Sequence, residues 1–257
     1  MEGLDFVDVP YLDEILNNLP ISANDKEDVD AYLGNIVNLV NVNYKYEQYQ
    51  FAYFGLHLLY MTYIYFAIWK VSKANPARYE DVVVFARPYQ GSKLDFLNIE
   101  SIFEYSYVAE KDIPKIFKII GLDGGQIGII QGLVDTRNDM AHASGKFEIL
   151  NEDAFFLSAN SMFTSIKNIH NCMKKQIRNL HRDFLLKIID FDFDDEASAK
   201  ELIFEQLIQN LNLSVNEVLE CNEMSLNSLS NEHPAHADKF ATLKSALKNL
   251  CEERGYV

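Results

Sequence analysis

Arg137 and His142 stand five positions apart in the stretch LVDTRNDMAHASG, residues 133–145. A histidine side chain exchanges protons near neutral pH, because its ordinary pKa is about 6.5. An arginine side chain stays charged and binds two phosphate oxygens at once. Together these residue types can break a phosphodiester bond, with the histidine moving protons and the arginine stabilising the charge that develops on the phosphate.

The same pair also fits an ordinary helix end. A histidine in the last turn of a helix interacts favourably with the terminal carbonyls, and Gly145 is a plausible stop. The chain has six arginines and six histidines, so this spacing also arises by chance. Along one straight helix, five residues give about 140° of rotation and 7.5 Å of rise, which does not easily bring both side chains to one phosphate.

The neighbouring polar residues extend the candidate site. Asn138 could hydrogen-bond the imidazole or a phosphate, and Asp139 could orient an imidazole or lie in solvent. On the next predicted helix, steps of seven, four and four place Lys167, Lys174, Arg178 and Arg182 on one basic stripe that could follow a phosphate backbone. The alternative is a solvated face that balances the acidic tail or packs against it. The RNA-binding residues that we expect are Lys146, Lys167, Lys174, Lys175, Arg178 and Arg182.

The elements around this stretch are predicted to be helices. Glycine and proline number only 11 and 6, and apolar residues recur at helical spacing along most of the chain. The segments LDFLNIESIFEYSYV and DIPKIFKIIGL both show that spacing, whereas DVVVFARPYQGSK is ambiguous between a short strand and a loop. We expect an all-α bundle, with long helices over 45–73 and 152–188 and a helical tail over 197–220 and 235–253.

Residues 51–69 form a run of 19 residues without a formal charge. This run is long enough to cross a bilayer. It also contains four tyrosines, His57 and Thr62, whose polar groups would need partners in lipid. A helix that is apolar nearly all round also suits the centre of a bundle, and that is the interpretation we favour, with no membrane partner.

The net charge of −15 is concentrated at the two ends of the chain. Residues 1–50 carry −8 and residues 190–257 carry −9, whereas residues 51–189 carry +2. The overall charge argues against a general polyanion binder. We expect a helical domain over 1–189, with an acidic segment over about 1–30, and an acidic helical extension over 190–257. That extension could fold against the basic stripe and exclude RNA until a trigger releases it.

Other candidate sites have simpler explanations. The glycines of GLDGGQIG lack the spacing of a dinucleotide loop and the lysine of a phosphate loop, so a helix-entry turn is expected. DFDFDDE lacks the glycine of a calcium loop, and His233 and His236 alone do not make a metal site. Cys172, Cys221 and Cys251 have no paired spacing, and the N-terminus resembles no secretion signal. We therefore expect a cytoplasmic protein without a metal or cofactor.

The form of RNDMAH, residues 137–142, resembles the Arg-(4–6 residues)-His motif of HEPN domains. The predicted helices and the place of the motif before the last long helix of the domain also resemble that all-α family, over roughly residues 30–189. The resemblance implies a metal-independent endoribonuclease that acts as a bacterial toxin or anti-phage effector, with Arg137 and His142 as its catalytic residues. It also implies a homodimer, in which the motifs of two protomers face each other in one composite site. An antitoxin or defence partner protein is possible. Some family members carry a tyrosine two positions after the histidine, which a partner enzyme modifies; Ser144 stands here instead.

Two other functions stay open from the residues alone. The chain could be a non-catalytic helical interaction or regulatory subunit, whose acidic ends bind a basic partner and whose Arg137 and His142 are structural. The acidity supports this alternative, because a net charge of −15 is unusual for an RNA enzyme. The other open function is that of a membrane-associated protein that uses residues 51–69.

Overall fold

Helices make up the regular structure of the chain. The structure is a computed structural model that describes residues 8–21, 27–83, 95–141, 149, 151–191 and 195–256. Within these ranges no β-strand occurs, and Pro20 and Ser214 form an isolated β-bridge. The predicted all-α fold is therefore confirmed.

The chain divides into two compact units. The first unit comprises Met1–Leu16 and Glu27–Cys172, and the second comprises Asn17–Lys26 and Met173–Val257. The division falls inside one long helix, between Cys172 and Met173, whereas the sequence analysis divides the chain after residue 189. The second unit thus takes its residues from the end of that helix as well as from the acidic tail.

The first unit holds five helices and the start of a sixth among its described residues. Two 3₁₀ segments, Ile102–Tyr107 and Ile113–Ile120, lie between the fourth and fifth α-helices. The α-helices are α1 (Leu12–Leu16), α2 (Glu27–Lys45), α3 (Tyr49–Ala74), α4 (Pro76–Val83), α5 (Gly124–Ala141) and α6 (Glu152–Lys187).

Helix α3 is the core of the first unit. Seventeen of its 26 residues are buried, which explains why it is apolar on nearly every side. It is the one described helix that is long and apolar enough to cross a membrane, and 83% of its most apolar window is buried inside the protein. Burial of this extent is the pattern expected of a core helix.

Glycine at position 55 allows α2 and α3 to pack closely. A Cβ atom at this position would come within 2.8 Å of Val40 Cγ2 and 3.3 Å of Leu39 Cδ2. Both contacts are shorter than ordinary van der Waals separations, so a larger residue would push the helices apart or distort the side chains.

The two segments predicted as ordinary helices between α4 and α5 are tighter 3₁₀ turns. The first begins with a capping box, in which the Glu104 carboxylate accepts a hydrogen bond from the Ser101 amide at 2.9 Å. Its Tyr105 hydroxyl meets the Tyr79 hydroxyl of α4 at 3.1 Å in a buried contact. Apolar spacing of three and four suits both helix types, so the sequence pattern could not separate them.

The second unit packs the end of α6 against the tail. Ser214 and Glu217 form a buried capping box at the start of one tail helix. A π-helical stretch, Ile203–Gln209, extends the first tail helix and divides the single helix predicted over 197–220. The tail helices are α7 (Glu196–Leu202), α8 (Val215–Glu223), α9 (Asn227–Glu232) and α10 (Ala237–Glu253).

Candidate functional site

Helix α5 carries Arg137, Asn138 and Asp139 near its C-terminal end. The preceding turn, GLDGGQIG, is a helix entry as expected: Gly121 adopts the left-handed conformation with φ +88°. The Asp123 carboxylate accepts a hydrogen bond from the Gln126 amide at 2.8 Å and caps α5. Ile127, Ile130 and Val134 are buried at helical spacing, and this apolar face fixes the rotation of the helix.

Arg137 forms an ion pair with Glu110, which lies 27 positions earlier in the chain. The contact joins Arg137 Nη2 to Glu110 Oε2, and the side chains are 19% and 25% exposed. The Arg137 Nε atom is buried and has no hydrogen-bond partner within the described part of the protein. The guanidinium is therefore half-buried, with one edge toward a carboxylate.

An open cleft of about 290 Å³ lies beside this ion pair. Two further contacts hold the segment that carries Glu110 against α5: Gln131 donates a hydrogen bond to the Lys111 carbonyl at 2.8 Å, and Lys111 pairs with Asp135. Glu110 is thus brought beside Arg137 and Asn138 on one surface. The residues that line the cleft are Ser106, Ala109, Glu110, Lys111, Val134, Arg137 and Asn138.

His57 of α3 is buried near Arg137. Its side chain is fully buried between the rings of Tyr53 and Tyr60, and neither ring nitrogen has a hydrogen-bond partner among the described residues. Burial, and then the positive charge of Arg137, lower the pKa of His57 to about 3. His57 is therefore neutral at physiological pH. The sequence analysis noted it only as a polar residue in an apolar run.

Two of the predicted site residues lie outside the described residues, His142 and Lys146. Helix α5 ends at Ala141, the residue directly before His142. Asp139 is described and exposed. The structure thus describes the arginine half of the motif and its surroundings.

The basic stripe of α6 forms ion pairs with tail carboxylates within the second unit. Lys174 and Arg178 contact Glu220 at 2.9 and 2.5 Å, and Glu220 is only 3% exposed. Burial alone would raise the pKa of the Glu220 carboxyl, but these two cations outweigh it and hold the pKa below its usual value. These contacts favour the interpretation of the stripe as a counterpart of the acidic tail.

The remaining members of the predicted RNA-binding set have different surroundings. Arg182 contacts Glu232 at 2.5 Å, again within the second unit. Lys167, in the first unit, lies over the Phe163 ring with its Nζ 4.6 Å from the centroid. Lys175 is exposed. None of these residues is among those that line the cleft beside Arg137.

The other motifs show no metal cluster where the structure describes them. No group of three or more His, Cys, Asp and Glu side chains that could hold a metal ion occurs there. Residues 192–194 of the acidic DFDFDDE stretch lie outside the described residues, and His233 packs against the Phe240 ring. Cys172, Cys221 and Cys251 form no disulfide bond within the described residues.

Comparisons of the chain with protein-family models, with curated proteins and with solved structures find no match. The resemblance to HEPN domains therefore rests on the RNDMAH motif and the helical architecture.

Proposed function

We propose that the protein is a metal-independent endoribonuclease of the HEPN type, which acts as a toxin or anti-phage effector in the cytoplasm. The observation that supports this best is an open cleft at the end of α5, which both Arg137 and Asn138 line. Helix α5 ends at Ala141, the residue directly before His142 in the sequence. RNA supplies its own nucleophile, the 2′-hydroxyl, so cleavage needs proton transfer and charge stabilisation but no metal.

In the proposed reaction, the 2′-oxygen attacks the adjacent phosphorus and the bond from phosphorus to the 5′-oxygen breaks. Arg137 binds the phosphate oxygens and stabilises the charge that develops on them. His142 transfers a proton near neutral pH, and Asn138 orients the phosphate or the imidazole. The products are a 2′,3′-cyclic phosphate and a free 5′-hydroxyl.

The first experiment measures cleavage of single-stranded RNA in the presence of a chelator. His142→Ala and Arg137→Ala should each abolish cleavage, because each removes one part of a concerted step. His236→Ala and Arg78→Ala are matched controls on residues outside the cleft and should cleave normally. Equal cleavage by the wild type and His142→Ala, or no cleavage of any RNA by the wild type, would refute the proposal.

The proposed site is composite, and its second half comes from another copy of the chain. Gly132, on α5, faces open space, because a Cβ atom there would meet no atom within 4 Å. Gly132→Arg should therefore fold normally but block a second protomer that approaches α5. Gly34→Arg, at an equally open glycine of α2, is the control. We expect light scattering to show a dimer for the wild type and the control, and loss of both dimer and cleavage for Gly132→Arg.

A second candidate function is a non-catalytic interaction subunit of a toxin–antitoxin or defence complex. The ion pair between Arg137 and Glu110 favours it, because an arginine with a fixed carboxylate partner can be purely structural. In that case Arg137→Gln should lower the melting temperature, and the double variant Arg137→Gln/Glu110→Gln should recover part of the loss. Expression in cells separates the two functions: growth arrest that His142→Ala abolishes supports the nuclease.

A further inference from the structure

Glu110 is a carboxylate on the wall of the cleft that the proposed function assigns to an RNA phosphate. A fixed negative charge there repels the phosphate, so its presence needs a chemical reason. The neighbouring carboxylate, Asp135, is half-exposed and paired with Lys111. Glu110 is the more enclosed of the two, at 25% exposure, and it touches the guanidinium that would bind the phosphate.

The contact with Arg137 uses only one oxygen of the carboxylate. Glu110 Oε2 meets Arg137 Nη2, and Oε1 makes no hydrogen bond to any residue that the structure describes. A phosphate bound by Arg137 would therefore have a free carboxylate oxygen beside it. Carboxylate oxygens accept protons, and the attacking 2′-hydroxyl lies next to the phosphate that is cleaved.

We propose that Glu110 is the general base that takes the proton from the 2′-hydroxyl. This inference rests on the proposed function and adds a catalytic residue to it. The 2′-oxygen forms its bond to phosphorus as its proton passes to Glu110, and the bond from phosphorus to the 5′-oxygen breaks. The leaving oxygen takes a proton from His142, the donor that the motif supplies. Glu110 then releases its proton to solvent.

The surroundings of Glu110 fit this division of roles. Among the described residues, Lys111 and Arg137 are the charged groups that line the cleft with Glu110; Lys111 pairs with Asp135 of α5, and His57 of α3 lies close to Arg137. His57 is fully buried, so it cannot contact the RNA and act as the base. The ion pair with Arg137 also holds the carboxylate in place, which a base needs before substrate arrives.

The test compares Glu110→Gln with Asp112→Asn in the full chain. Both changes replace a carboxylate in an ion pair with an amide of the same shape, and Asp112, which pairs with Lys115, does not line the cleft. We expect Glu110→Gln to lower kcat by about 10²–10⁴-fold, the usual contribution of a general base, with the KM for RNA unchanged or lower. Asp112→Asn should stay within about twofold of wild type, and Glu110→Asp should retain part of the activity.

The pH profile distinguishes a base from a residue that only positions Arg137. A general base acts only in its unprotonated form, so the wild-type rate should show a limb that falls toward acidic pH. Glu110→Gln should lack this acidic limb and keep the rest of the profile. If Glu110→Gln cleaves RNA at the wild-type rate and keeps the acidic limb, or cleaves RNA faster than the wild type, Glu110 is not the general base. Either result would leave the proposed function intact. A wild type that cleaves no RNA would overturn both.

Discussion

At the scale of single residues, two buried histidines limit the stability of the protein in acid. His57 lies in the first unit and His181 in the second, and both are almost fully buried. Burial is the main cause that lowers the pKa of His57 to about 3 and that of His181 to about 4, and Arg137 and Lys244 respectively add to it. Each side chain stays neutral in the folded state but takes up a proton near pH 6.5 on unfolding.

We therefore expect the free energy of unfolding to fall as the pH is lowered from about 6.5 toward 4. The pKa of each histidine is lower in the folded protein than in the unfolded chain. The contribution of that histidine to stability is therefore fully present above the unfolded pKa and is lost as the pH falls below it. Each histidine should cost about 1.4 kcal/mol per pH unit in this window. Thermal unfolding of the wild type at pH 7.0, 6.0 and 5.0 measures the effect.

Replacement variants identify which residue is responsible. His57→Leu and His181→Leu should each reduce the dependence of the melting temperature on pH, whereas His236→Ala, at a half-exposed residue, should not. The window above pH 5 avoids most carboxyl protonation, since carboxyls titrate near pH 4. An unchanged slope in both leucine variants would show that neither histidine carries the effect.

Sequence reasoning singled out Arg137 as a candidate but missed its ion-pair partner. Arg137 and Asn138 were identified because their types and order match a known motif. Glu110 lies 27 positions away, in a segment whose pattern only suggested a helix, and no local signal connects it with Arg137. Distant ion pairs depend on how elements pack, so the chain alone does not reveal them.

At the scale of elements, the contact between α2 and α3 depends on Gly55. We expect Gly55→Val to lower the free energy of unfolding by about 1–3 kcal/mol, because the added atoms overlap Val40 and Leu39. Denaturant titration followed by circular dichroism measures the loss.

Helix α5 offers a matched control for this glycine. A Cβ atom at Gly132 meets nothing within 4 Å, so Gly132→Ala should stabilise the helix by about 0.5–1 kcal/mol through backbone propensity alone. A lower free energy of unfolding for Gly55→Val and a higher one for Gly132→Ala would separate the effect of helix packing from that of helix propensity. A stabilising Gly55→Val would show that the α2–α3 contact relaxes without cost.

The sequence predicted the long helices better than the short ones. Helix α3 was expected over 45–73 and spans Tyr49–Ala74, and α6 was expected over 152–188 and spans Glu152–Lys187. In α6, buried residues recur at steps of four and three, which only an α-helix satisfies over such a length. The short 3₁₀ segments and the π-helical stretch escaped prediction, because one or two turns do not define a period.

At the scale of the whole molecule, the acidic tail and most of the basic stripe, Lys174, Arg178 and Arg182, belong to one compact unit. Glu220 is buried between Lys174 and Arg178, and Glu232 pairs with Arg182. The sequence showed both charge blocks but left open whether the stripe meets RNA or the tail. Charge patterns alone do not determine which opposite charge they face.

Removal of the tail charges should free these cations without removing the tail. We expect the double variant Glu220→Gln/Glu232→Gln to bind RNA more tightly at low salt, because three cations lose their carboxylate partners. Loss of the buried Glu220 charge should also cost about 1–3 kcal/mol of stability. Titration with single-stranded RNA at two salt concentrations, on protein shown to be folded, measures the change. Unchanged affinity would show that the stripe does not bind RNA.

Deletion of residues 190–257, by contrast, should destroy the fold of the second unit. The end of α6 buries Ile177, Leu180, Phe184 and Leu185, and these residues belong to the same compact unit as the tail. Without the tail their apolar surface meets water, and exposed patches of this kind cause aggregation. We expect the 1–189 fragment to be poorly soluble, or to bind a hydrophobic dye and lack a cooperative thermal transition. A soluble, well-folded 1–189 fragment with higher ribonuclease activity would instead show that the tail is a removable cover, because only a separable tail could leave the rest of the protein intact.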